Sequence, residues 1–155
     1  MQLRDTLLHS IDEAYEKRAW HGTNLRGSLR GLTLRDVWYR PAEGRHNIYE
    51  LTAHAAYWKH IARRRLTGDR SRSTFALAGA DWFSAPARPD ETAWKALVRL
   101  LDAEHRLLRE SIAGFADEDL SDRKTQRLVL GVAAHDVYHT GQIQLVKRLA
   151  QGPRP

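Results

Sequence analysis

Residues 131–149, GVAAHDVYHTGQIQLVKRL, decide how this chain is read. Together with the residues just before them they carry a seam at alternating steps of three and four: Leu128, Val132, His135, His139, Gln142, Val146 and Leu149. That spacing is helical. Both ends of the seam are aliphatic, yet its middle is His, His, Gln. Side chains four apart lie above one another on one helix face, with β-carbons about 6 Å apart, so two imidazoles there can converge on one ion. The competing reading makes them core-edge histidines, each bonded to a carbonyl or a tyrosine. Two in register strain that reading, since each buried polar atom left unpaired costs about 1–3 kcal/mol.

Outward from this segment the periodicity stays helical, and no stretch alternates as a strand. Leu3, Leu7, Ile11, Ala14 and Tyr15 give a first helix ending near Trp20, with Gly22 as its stop. A long connection through Gly27, Gly31, Pro41 and Gly44 holds a short helical turn around Leu32 to Trp38. Asn47 then caps a second helix and Glu50, three residues on, completes a capping box. Its inward face reads Leu51, His54, Ala55, Trp58, Ile61, Ala62.

A second connection, Gly68 to Pro89, is anchored by Trp82 and Phe83. Pro89-Asp90 opens a third helix with Trp94, Leu97, Val98, Leu101, His105, Leu108 and Ile112 on one face, ending near Gly114. After the acidic turn ADEDLSD a fourth helix runs from about Arg127 to Ala150. The expectation is an all-α four-helix bundle with long crossover connections, one domain over residues 1–150 with a disordered tail at 151–155.

At 155 residues the chain can bury a sizeable core. No apolar run approaches the roughly 18 residues of a membrane span, and MQLRDTLLHS reads as the start of a helix and not as a secretory signal. A cytoplasmic protein is expected. The absence of cysteine removes disulfides, thiolate metal sites and a cysteine nucleophile, so any thiol chemistry needs a thiol brought in by a ligand. Lys and Arg outnumber Asp and Glu by 25 to 19, which favours an anionic partner. The densest basic cluster, Arg63-Arg64-Arg65 with Arg70 and Arg72, lies where a helix runs out, where the dipole favours cations. Without interleaved aromatics or a nucleic-acid motif it reads as a solvated face, which disfavours nucleic acid.

His54 lies mid-helix on an apolar face, at a depth matching the pair. Three neutral imidazoles, His54, His135 and His139, make an N₃ set suited to Zn²⁺, Ni²⁺ or another late divalent ion, with positions left for water or substrate. His105 faces the core of the third helix and is read as hydrogen-bonded at the core edge in preference to a fourth ligand. Its neighbour Glu104 is a candidate to orient a ligand imidazole. Gln142 is placed at the pocket edge and Tyr57 at its mouth. Tyr138 is expected to pack on another helix, Gly141 to allow a close helix approach, and Asp136 to project to a different face. His9, His21, His46 and His60 are read as surface or loop residues.

The segment HDVYHTGQIQLV resembles the H-x-x-Y-H-x-G-Q-I signature of the last helix of the DinB-like superfamily, which includes the YfiT-type proteins. SLRGLTLRDVWYRPAEGRHNIYELTAHAAYW resembles that family's upstream run, except that His46-Asn47 stands where Trp-Ser is usual. The resemblance implies a helical bundle with a divalent metal on three histidines, falling here on His54, His135 and His139, and a homodimer. It also implies membership of a group containing metal-dependent transferases and isomerases that use a low-molecular-weight thiol. A thiol transfer is therefore the leading expectation. Metal-assisted hydrolysis ranks below it for want of a general base, and a non-catalytic, stress-related metal-binding bundle is the alternative outside enzymes. Arginines at the pocket mouth are expected to bind carboxylates of the thiol.

Overall fold

The computed structural model describes residues 2–71 and 75–152. The chain is all-α; among the described residues there is no strand, only an isolated bridge between Ala19 and Gly22. Four long helices form the frame: α1 (Leu3–Tyr15), α4 (Ile48–Thr67), α5 (Glu91–Ala113) and α7 (Arg123–Gln151). Three short ones, α2 (Leu25–Ser28), α3 (Leu34–Trp38) and α6 (Asp117–Leu120), punctuate the connections. The long helices pack in the cyclic order α1, α7, α4, α5.

Helix ends follow local chemistry. Asn47 accepts from the backbone N–H of Glu50, and the Glu50 carboxylate returns to the backbone N–H of Asn47, the expected capping box. Gly68, at φ 68°, ends α4 in the left-handed conformation that glycine adopts without strain. α7 starts earlier than its apolar pattern suggests, because Asp122 accepts from the N–H groups of Lys124 and Thr125 and so caps a polar first turn. α1 stops at Tyr15, short of Trp20, which is almost fully exposed. At the other end of the chain Gln151 is the last helical residue, and residues 153–155 of the expected tail lie outside the described residues.

Which faces are buried follows from the packing order. α4 touches both α5 and α7, so nearly its whole circumference over residues 48–56 is buried and Lys59, His60 and Ala62 continue the burial on more than one side. α7 buries Val129, Val132, Ala133, Asp136, His139, Thr140, Ile143 and Val146. The face centred on 129, 136 and 143 therefore points inward. The histidine seam is turned about one residue away from it, with Leu149 half exposed and His135 only partly buried. The seam lies at the edge of the core, where a site can meet solvent.

Candidate metal centre

α4 and α7 run antiparallel, which brings His54 to His135 and His139. The Nε2 atoms of His54 and His135 are 3.2 Å apart, and those of His135 and His139 are 3.0 Å apart. All three ligand atoms lie within 4.8 Å of one another, so the group could hold a metal ion. It is the one such group among the described residues.

The tautomers are fixed from behind. His54 Nδ1 lies 2.8 Å from the backbone oxygen of Asp81, and a carbonyl can only accept, so Nδ1 carries the proton and Nε2 presents its lone pair. His139 Nδ1 donates to Gln142 Oε1 at 2.6 Å, with the same result. Both lone pairs then face His135 Nε2, which carries at most one proton and can satisfy one of them. A cation shared by the three would resolve the conflict, and the two separations of 3.0 and 3.2 Å are within the reach of nitrogens about 2.1 Å from a common centre. The donor set therefore fits a divalent ion.

Protonation does not compete near neutrality. Burial, followed by the neighbouring His139 and His54, pushes the His135 imidazole down to about 3. Burial likewise lowers His139 to about 4 against the opposing Gln142 hydrogen bond, and lowers His54 despite Asp81. Neutral imidazoles are the ligand form.

The connection after α4 roofs the group. Trp82 stacks between two imidazoles, His46 at 3.6 Å and His54 at 3.8 Å between ring centroids. Asp81 is the one non-glycine residue at positive φ among those described, at 64°. Its carbonyl holds His54 while its carboxylate accepts from Trp58 Nε1 at 2.8 Å. Such a conformation persists where surrounding contacts over-determine it. Sequence periodicity could not nominate Asp81, because its role depends on a backbone oxygen in an irregular segment; the flanking Trp82 and Phe83 are the only signal there.

Of the other expected residues, Gln142 does reach the edge of the site; its carbonyl holds His139 and its amide points to the Tyr138 hydroxyl at 3.3 Å, so it orients a histidine. Tyr138 is exposed and lies edge-on to His139, without packing on another helix. Tyr57 sits among Trp58, Phe75 and Phe83. Gly141 has nothing within 4 Å of where a Cβ would stand, so among the described residues no neighbouring helix packs against that position.

Glu104 bonds His60 Nδ1 at 3.2 Å, on the α4–α5 side, away from the three histidines. His60, read as a surface residue, is buried because α4 has a second partner helix. His105 is also buried; it stacks on Tyr15 at 3.8 Å and lies 3.4 Å from Lys59 Nζ. Lys59 is itself fully buried and bonds the carboxylate of Asp136, an ion pair between two sealed side chains that no single apolar seam reveals. His9 and His21 are at the surface as expected, while His46, itself exposed, bonds Glu50 at 3.0 Å and carries the Trp82 stack. In the basic cluster Arg64 pairs with Asp69 at 3.7 Å and Arg65 lies over the Trp58 ring; Arg72 is outside the described residues.

Beside the histidines a cleft of about 310 Å³ opens between α4 and α7, lined by Trp58, Ala62, Leu128, Gly131, Val132 and His135 with Arg65, Lys124 and Arg127. No helix is long and apolar enough to cross a membrane, among the described residues. The sequence model of the DinB superfamily matches residues 17–143, which include all three histidines. No curated protein and no solved structure matches the chain.

Proposed function

The chain belongs to the DinB superfamily, and from that premise we propose that it is a metal-dependent transferase in which His54, His135 and His139 hold zinc or nickel. In the proposed reaction an external low-molecular-weight thiol gives up its proton, its sulfur bonds to an electrophile, and the electrophile's leaving group departs with the bonding pair and takes up a proton. The observation that carries this reading is the convergence of two fixed Nε2 lone pairs on His135 Nε2, an arrangement that suits a cation and suits a merely structural cluster poorly. An all-nitrogen set from neutral imidazoles matches late divalent ions. A bound ion of this kind lowers the pKa of a thiol that ligates it, so that thiolate is available near neutral pH.

The chain's own residues do the rest. Asp81 and Gln142 hold two imidazoles in the ligand tautomer, and Trp82 covers one side of the group and excludes water there. With no cysteine in the sequence, the thiol comes from outside. Hydrolysis is the weaker reading, because Glu104 is engaged by His60 and Asp136 by Lys59, leaving neither free to act as general base. A homodimer is part of the proposal, supported by the exposed apolar residues Leu130, Val137, Leu145 and Leu149 on α7; light scattering tests it.

The function is tested by metal content on wild type beside His135→Ala, followed by a panel of thiols and electrophiles. Near-stoichiometric zinc or nickel in the wild type, lost in the variant together with thiol consumption, is expected. Full metal occupancy with no thiol-dependent turnover would make the site structural or sensory.

A further inference from the structure

The cleft between α4 and α7 is more apolar than a thiol site needs. Trp58, Ala62, Leu128, Gly131 and Val132 form its walls, His135 stands at one end, and no acidic side chain lines it. Lys124 and Arg127 lie toward the other end. At a helical rise of 1.5 Å per residue, Arg127 is roughly 12 Å and Lys124 roughly 16 Å along α7 from His135. Because α4 runs the opposite way, Arg65 arrives at that same end, its guanidinium 5.6 Å from the centre of the Trp58 ring. Three cations unbalanced by any lining acid attract an anion, and the arginine fork favours a carboxylate.

We propose that this cleft is the subsite for the electrophilic substrate, and that this substrate is an amphipathic anion: an alkyl or arylalkyl body lying along Leu128, Gly131 and Val132, a carboxylate at Arg65, Lys124 and Arg127, and the reacting end beside His135. Low-molecular-weight thiols are polar along their length and gain little from such walls, whereas an apolar body gains with every part of its surface taken from water. On this reading Arg65 and Arg127 serve the electrophile, where the sequence alone suggests that arginines serve the thiol. The assignment of the reacting end rests on the metal-centre reading; the binding itself does not. A cleft of this volume is at the small end of the usual range for ligand sites, which suits a chain of medium length.

Gly131 makes the proposal testable. It lines the cleft from an exposed helical position and has nothing within 4 Å of a Cβ, so a side chain can be added at the cleft wall without a clash at its root, and it raises helix propensity. Octanoate is titrated calorimetrically into metal-loaded protein, with octanol and octylamine as neutral and cationic analogues. Octanoate is expected to bind, with the two analogues weaker by about tenfold or more. Gly131→Leu should abolish octanoate binding with metal content unchanged and melting temperature not lowered. Arg65→Ser combined with Arg127→Ser should weaken it about tenfold. His139→Ala, depleted of metal, should still bind octanoate. No octanoate binding, binding indifferent to Gly131→Leu, equal binding of all three analogues, or binding that vanishes with the metal because the carboxylate ligates the ion, would each overturn the proposal. Wild-type protein that takes up no metal but binds octanoate would overturn the metal-centre reading instead and leave the subsite standing.

Discussion

Two groups of histidines meet at α4, one shared with α7 and the other with α5, and they are built on opposite terms. At the cleft, His54, His135 and His139 turn their Nε2 atoms toward each other, and two of them rest their Nδ1 protons on neutral oxygens, the Asp81 carbonyl and the Gln142 amide. On the α5 side, His60 bonds the Glu104 carboxylate and His105 approaches the Lys59 ammonium, and each keeps a buried Nε2 with no hydrogen-bond partner. The first group collects lone pairs beside an open cleft. The second sits in a largely buried web of charge that includes the sealed Lys59–Asp136 pair and, at its edge, Asp12 with the half-exposed Arg109. What separates the two groups here is convergence: three histidine nitrogens meet in the first, whereas the second offers no such set among the described residues, although a carboxylate behind His60 would orient a ring as well as a neutral oxygen does.

The comparison is broken most forcefully at Lys59. Lys59→Met strips the partner from a carboxylate that burial already pushes up, so the folded state must protonate Asp136 or bear an uncompensated charge. A loss of about 3–5 kcal/mol in denaturant unfolding is expected, with metal content retained. Adding Asp136→Leu should recover most of that loss, as the pair is replaced by apolar packing. Metal lost in step with stability in the single variant would mean that the two groups are one energetic unit.

The next effect belongs to the converging histidines. His139→Ala should lower metal affinity by more than about 100-fold, beyond the range typical of losing an orienting partner. His60→Ala, equally buried and on the same helix as His54, should leave affinity unchanged by mass-spectrometric metal titration. Equal loss in both variants would erase the distinction between the groups. Gln142→Leu tests how far the neutral acceptor matters: releasing the His139 tautomer should cost about 10–100-fold in metal affinity, with little change in melting temperature of the metal-free protein.

The histidine trio is legible in the sequence because it depends on local geometry: a step of four on one helix and a mid-helix position on another, both fixed by the period. The capping box at Asn47 and Glu50 is legible for the same reason. The charged web is not, because a single-face reading gives each helix one inward stripe and α4 has two neighbours. Lys59 and His60 fall on the second buried side, and Asp136 on the centre of a stripe from which the seam is displaced by one residue. Asp81 escapes because a backbone oxygen leaves no side-chain signature. Gly141 misleads, since a helical glycine suggests close packing and this one faces open space.

The smallest step in the comparison is read through acid. His105 is held neutral by burial, then by the charges of Lys59 and Arg109, which push it to about 2, whereas in the unfolded chain it titrates near 6.5. Between those values the unfolded state binds the extra proton. Stability must therefore fall as pH drops below about 6.5, by up to about 1.4 kcal/mol per pH unit for this one group, and no such term operates above it. His105→Gln keeps an acceptor for Lys59 and removes the titration. In metal-free protein, its stability measured from pH 6 to 4 should fall less steeply than that of wild type by nearly that slope, whatever its absolute value at pH 7. Parallel curves would mean that His105 already carries a proton in the fold, shared with Asp12 at 3.9 Å, and that the web beside the metal centre balances its charge in a different way.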